Sequence, residues 1–237
     1  MVLRLPARGN WSGRLIVAVL AIGLLTTLGI SASVAPPDTV NPVADQVAAA
    51  PKYVVLTFDD GPHPKYTTQI LSLLWTYGAK ATFFEIGQNV ARYPAVTRRV
   101  HWLGHSVQSH TWSHPNLRNV SWAAFKYQVL TTDRYIRAQT GYTPRCLRPP
   151  YGAVNSLVYK RAASLGKTVR LWTVDPRDWS RPGASVIASR VLAGVRSGSV
   201  VLLHDGGGDR SQTVAALRTI LKTLKARGYA FYSTWCR

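Results

Sequence analysis

Tyr53-Val54-Val55-Leu56-Thr57-Phe58-Asp59-Asp60-Gly61-Pro62 decides how this chain is read. Its first half, rich in β-branched and aromatic side chains, suits a strand covered on both faces, as in a parallel sheet. Gly-Pro then ends the strand, because Pro offers no N–H to a ladder and Gly permits a sharp turn. Two adjacent carboxylates at the end of a buried strand are costly unless a cation or a hydrogen-bond network compensates them. Alone, the pair also fits a turn and helix cap ahead of Thr67 and Thr68.

Downstream, short apolar runs alternate with helix-like segments. Strands are expected at 53–58, 81–85, 105–109, 146–148, 168–174, 199–204 and 230–234. Helices are expected between them at 67–77, 94–103, 121–139, 155–165, 184–195 and 212–227, with Ser121 as an N-cap and Gly141 just past a C-terminus. Sustained βα alternation with short connections predicts a parallel α/β fold. A closed or nearly closed barrel is favoured over an open doubly wound sheet, since no glycine-rich nucleotide fingerprint follows the first strand. In both architectures functional groups gather at the carboxyl ends of the strands. The polar residues obey that rule: Asp59 and Asp60 end the first strand, His110 and His114 follow the third, and Arg148 ends the fourth. Asp175 and Asp178 follow the fifth, and His204 and Asp205 end the sixth.

The chain has 237 residues and 46% apolar content, enough for one large domain with a sizeable core. Lys+Arg number 29 against Asp+Glu 10, a net charge of +19, which points to a polyanionic environment. Arg4, Arg8 and Arg14 precede an uncharged apolar run that continues through Ala35, the layout of a secretory signal, and one also long enough for a membrane anchor. We therefore expect residues 1–35 to be a signal or anchor, 36–51 a linker, and 52–237 a single exported domain. Export and basic charge together favour an anionic cell envelope as partner over nucleic acid, for which no binding motif is present. Cys146 and Cys236 are too few for a disulfide scaffold or a Cys-rich zinc site, but in an exported chain they are expected to pair.

Ser109-His110-Thr111-Trp112-Ser113-His114-Pro115 carries two histidines four apart, which share a face if the segment turns helically and could then reach one ion. A strand-end carboxylate completes a set of two His and one Asp, leaving room for water or substrate, the pattern of a catalytic rather than a structural metal. Zinc suits it first, and cobalt, manganese, iron or nickel also fit. One acid of the Asp pair would then be a ligand and the other a proton acceptor, kept ionised by Arg148 or Lys80. His204, with Asp178 nearby, would be an opposing general acid. Together these groups describe hydrolysis of an amide or ester.

Thr57-Phe58-Asp59-Asp60-Gly61-Pro62, Ser109-His110-x-x-x-His114-Pro115, Arg148-Pro149-Pro150-Tyr151-Gly152, Asp175-x-x-Asp178-Trp179 and Leu202-Leu203-His204-Asp205 resemble, in order, the motifs of the polysaccharide deacetylase family. These are the metal-dependent carbohydrate esterases of family 4, which share the NodB homology domain. The resemblance implies a distorted (β/α) barrel in a single domain, with a divalent metal held by Asp60, His110 and His114. It also implies Asp59 as base, His204 as acid, Asp178 as the tuner of His204 with Asp175 as its competitor, Arg148 as orienter and the Tyr151 backbone N–H as an oxyanion donor. Trp179, Pro150 and Leu202 or Leu203 would wall the substrate pocket. The implied reaction is removal of acetyl from N-acetylglucosamine units of an acetylated amino-sugar polymer. Peptidoglycan is expected first, with chitin oligomers, poly-N-acetylglucosamine and acetylated xylan as alternatives. A monomer at the cell envelope, secreted or anchored, is expected. A different class, a non-catalytic envelope-glycan binder on the same barrel, is the rival reading.

Overall fold

In the computed structural model the chain divides between residues 47 and 48, and its second unit, residues 48–237, is compact. Residues 51–234 and Cys236 are described here, all within the second unit. The expected signal or anchor over 1–35, and the linker up to residue 50, lie outside the described residues. Among the described residues no helix is long and apolar enough to cross a membrane.

Strand β1 (Tyr53–Asp59) is followed by helix α1 (Tyr66–Thr76), then β2 (Ala81–Glu85), α2 (Gly87–Arg92), α3 (Pro94–Trp102) and β3 (Ser106–Ser109). The chain continues through α4 (Trp122–Thr140), β4 (Cys146–Leu147), α5 (Ser156–Ser164), β5 (Thr168–Val169) and α6 (Ala184–Gly194). It closes with β6 (Ser199–His204), α7 (Ser211–Ala226) and β7 (Ala230–Phe231). Every pairing is parallel, in the order β5-β4-β3-β2-β1-β6, with β7 added on β1. This is a curled, incomplete β/α barrel, the distorted barrel expected from the sequence.

The reason β1 occupies the centre is compositional. Val54, Leu56 and Phe58 are fully buried in one large core with Ile70, Leu74 and Phe83, and Val201 and Leu203 from β6 join them. Flanked on both sides by strands, β1 has no edge left to protect. Helix α4 begins and ends as its sequence requires: the Ser121 side chain accepts from Ala124 N–H, and Gly141 takes the left-handed conformation at φ 80°.

Three expectations are corrected. Helix α2 lies outside the expected set, because six residues with only Val90 and Gly87 buried carry no readable apolar period. The expected strand 168–174 shrinks to two residues, and after a break only Val174 rejoins the sheet, as an isolated bridge to Val201. The final strand ends at Phe231 rather than 234. Cys146 and Cys236 are disulfide-bonded, with Cα atoms 5.2 Å apart, tying the C-terminal tail to β4.

Candidate active site

Strand geometry alone would send adjacent side chains to opposite faces. Asp59 ends β1 in extended conformation, but Asp60 turns to φ 73°, the left-handed region that non-glycine residues seldom occupy. Both carboxylates thereby line one pocket of about 460 Å³ at the carboxyl ends of the strands. The loop after β6 closes against them. Gly207 has φ 70°, and a Cβ there would stand 2.6 Å from Asp60 Oδ2, so backbone alone fits.

His110 and His114 reach the same place by a different route from the one expected. The segment is not helical: Thr111 (φ 70°) and His114 (φ 61°) fold it into a loop that Gln128 of α4 holds by accepting from the N–H groups of Trp112 and Ser113. His110 Nδ1 lies 2.7 Å from the Arg148 carbonyl oxygen. A carbonyl only accepts, so Nδ1 carries the proton and Nε2 presents its lone pair. That lone pair faces Asp60 Oδ1 at 3.4 Å, and His114 Nε2 stands 3.2 Å from the same oxygen. Asp60 Oδ1 is buried and makes no hydrogen bond.

Electron-rich atoms facing one another in a buried site need a cation between them. Asp60, His110 and His114 each offer a ligand atom, all within 4.8 Å of one another, and this donor set fits a divalent metal ion.

Arg148 is fully buried and every side of its guanidinium is used. It donates to Asp59 Oδ1 at 2.7 Å and to Thr57 Oγ1 at 2.8 Å, and to the carbonyls of Arg170 and Leu171. Its guanidinium carbon lies 4.0 Å from the centre of the Phe84 ring. Asp59 is therefore fixed through one oxygen, while its other oxygen lies 3.8 Å from His110 Nε2. Lys80 takes no part in holding Asp59. It sits on the opposite rim, donating to the Leu103 carbonyl.

Asp178, not Asp175, partners His204. Asp178 Oδ1 is 2.7 Å from His204 Nδ1, and Oδ2 accepts from the His204 backbone N–H and from Thr213 Oγ1. Burial opposes a charged imidazole, but the Asp178 hydrogen bond and charge prevail and push His204 up to about 9. Asp175 is exposed and accepts from the Arg177 N–H in a local turn.

Tyr151, at φ 62°, stands at the pocket mouth with its ring edge-on to His114. Trp179 and Leu202 line the wall, as does Trp172, which the motifs did not suggest. Leu203 is corrected: the period-2 alternation of β6 turns it into the core while Leu202 faces the pocket. Pro150 is buried in its turn and does not line the pocket.

A family model described as polysaccharide deacetylase matches residues 46–170. A peptidoglycan-N-acetylglucosamine deacetylase of Bacillus cereus is 44% identical over 182 residues, covering 76% of this chain and 85% of the relative. The chain belongs to the polysaccharide deacetylase family. A chitooligosaccharide deacetylase of Bradyrhizobium sp. is 42% identical over 191 residues, covering 76% of this chain and 87% of its own. Among solved structures, the Bc1960 peptidoglycan N-acetylglucosamine deacetylase superposes with a TM-score of 0.74 at 36% identity, over 76% of this chain and 85% of that one.

Arg210 and Thr67, which no motif reading supplied, also support the site of the deacetylase, together with Asp205, the last residue of the final motif. Arg210 is buried and donates to the carbonyls of Gly206 and Gly207, holding the loop that packs on Asp60. Asp205 accepts from Thr67 Oγ1 at 2.5 Å, and its backbone N–H donates to the Asp59 carbonyl. Burial pushes its carboxyl up to about 7. Thr67 is remote in sequence from Asp205, so only the fold brings those two together, whereas Arg210 closes back on its own loop three and four residues away.

Proposed function

We propose that this chain is an exported, metal-dependent deacetylase that hydrolyses the N-acetyl group of N-acetylglucosamine residues in peptidoglycan. The observation that carries this reading is the single pocket in which Asp60, His110 and His114 converge, with Asp59 and His204 on its walls.

Asp60, His110 and His114 would hold the metal, and its N/O donor set with an open side suits zinc. Such an ion, when bound, acidifies a water and polarises a carbonyl oxygen. Asp59, anchored by Arg148 through one oxygen, takes a proton from the attacking water with the other. His204, charged because Asp178 favours the imidazolium, gives a proton to the leaving amine. The Tyr151 backbone N–H donates to the oxygen on which negative charge develops. Trp179 and Leu202 flank the acetyl methyl.

The choice of polymer is supported by the Bacillus cereus relative's name and by the basic surface. Residues 52–237 retain 26 basic against eight acidic residues, which suits an anionic envelope. The Bradyrhizobium relative favours chitin oligomers as the second reading. Acetate release from peptidoglycan, chitin oligomers, poly-N-acetylglucosamine and acetylated xylan, measured side by side, tests the choice. Fastest release from peptidoglycan is expected, and no release from any amino sugar overturns the reading.

A further inference from the structure

Because every strand pairing is parallel, the strands begin on the rim opposite the catalytic pocket, and the helices that return the chain end there. That rim has its own composition. The last turns of α3, α4 and α7 place Arg99, Arg137 and Lys225 on it, while Lys52, Lys80 and Arg227 flank the strand starts and helix ends. All six are exposed. No acidic side chain among the described residues opposes them. Seven of the eight acids lie at or beyond the carboxyl ends of strands, and the eighth, Asp133, is buried and paired with Lys167.

Two tryptophans project from the same surface. Trp75, in the last turn of α1, is 71% exposed, and Trp102, the last residue of α3, is 83% exposed. Trp75 shares a hollow of about 200 Å³ with Lys80 and Leu103, and Trp102 shares one with Arg98 and Arg99. Lysines at helix ends also satisfy carbonyls, as Lys80 does for Leu103 and Lys225 for Tyr77. That role explains individual cations. It explains neither the absence of acids nor two exposed indoles.

The described chain starts on this rim. The Lys52 carbonyl accepts from Ala230 N–H, and Lys80 N–H donates to the Phe231 carbonyl beside it. In the sequence, the uncharged apolar run ending at Ala35 is joined to this point by residues 36–51. A stretch of that length reaches at most about 58 Å.

We propose that this face docks on the surface of an anionic phospholipid bilayer, leaving the catalytic pocket directed away from the lipid. An indole settles at headgroup depth, with its ring in the apolar layer and its N–H hydrated. Exposed Lys and Arg are drawn to anionic headgroups within a Debye length of the surface. A soluble polyanion matches the charge but gives the tryptophans no partner. The inference does not depend on which glycan is deacetylated.

The test uses residues 48–237, a compact unit that holds the whole described core without the apolar run. It is mixed with phosphatidylcholine vesicles, with or without about one part in three phosphatidylglycerol. We expect about tenfold or stronger partition into the anionic vesicles, weakened by salt, with quenching of indole emission by brominated lipid. The W75A/W102A variant should lose that quenching and most of the partition, and K80E/R99E should lose the preference for anionic lipid. Unchanged circular dichroism melts show that both variants remain folded. Equal partition into neutral and anionic vesicles, no partition at low salt, or quenching unchanged in W75A/W102A overturns the proposal. So does equal binding of wild type and W75A/W102A to vesicles and to a soluble polyphosphate, which would assign the face to polyanions in general.

Discussion

Asp59 and His204 are register partners across the parallel β1–β6 ladder. Neighbouring strands stand about 4.8 Å apart, so the barrel itself fixes the spacing between the proposed base and the proposed acid. Arg148 orients the first and Asp178 the second, each through a short charged hydrogen bond.

On the proposed roles, the Asp178 contact should set the basic side of the pH profile. His204 must be protonated to serve as acid, and its pKa stands at about 9 rather than near 6.5. Activity should therefore persist until pH approaches about 9 and then fall. Asp178→Asn should move that limb down toward the ordinary histidine range, as read from kcat/KM against pH. His204→Ala should remove the limb, with metal content unchanged.

The same shift has a stability consequence. A histidine whose pKa is higher folded than unfolded adds stability that is fully present below its unfolded pKa and is lost as pH rises through the folded value. The wild-type melting temperature should thus decline between pH 6.5 and about 9 by more than that of His204→Ala. Parallel pH dependences in the two proteins would contradict the Asp178–His204 pairing as the cause.

Asp59 and Asp60 should separate by their variants. Asp60→Asn, like His110→Ala, should lower bound metal by about tenfold or more at fixed free metal. Asp59→Asn should keep the metal and lose about 10²- to 10⁴-fold in kcat. Elemental analysis and acetate release on the same preparations distinguish the two.

Arg148 is the largest fully buried side chain among the described residues, and its removal strands a buried carboxylate. Arg148→Met should cost about 3–5 kcal/mol in denaturant unfolding, beyond any loss of activity. The disulfide, two residues away at Cys146, closes a long loop, and Cys146→Ser/Cys236→Ser should cost about 2–5 kcal/mol.

The sequence makes β1, the strand-helix alternation and the polar rim legible because each is a local pattern: a run of strand formers, a helical period, an acid or imidazole at a strand end. The motif resemblance adds the pairing of residues far apart. What stays hidden is non-local or conformational. The positive φ values of Asp60, Thr111 and His114 aim side chains that a strand or helix would send elsewhere, and nothing in their identities announces it. Gln128 acts on the histidine loop from helix α4, and Thr213 reaches Asp178 across the fold. The fifth strand reads as continuous because Leu171, Trp172 and Val174 prolong its apolar run, although ladder pairing stops at Val169 and resumes only as the Val174 bridge.

Acetate release from peptidoglycan by the chain stripped with chelator, then restored with zinc, tests the central claim most directly. The account predicts that activity disappears on stripping and returns with about one equivalent of metal per chain, while Asp60→Asn fails to recover. Undiminished acetate release from the metal-free protein would contradict it.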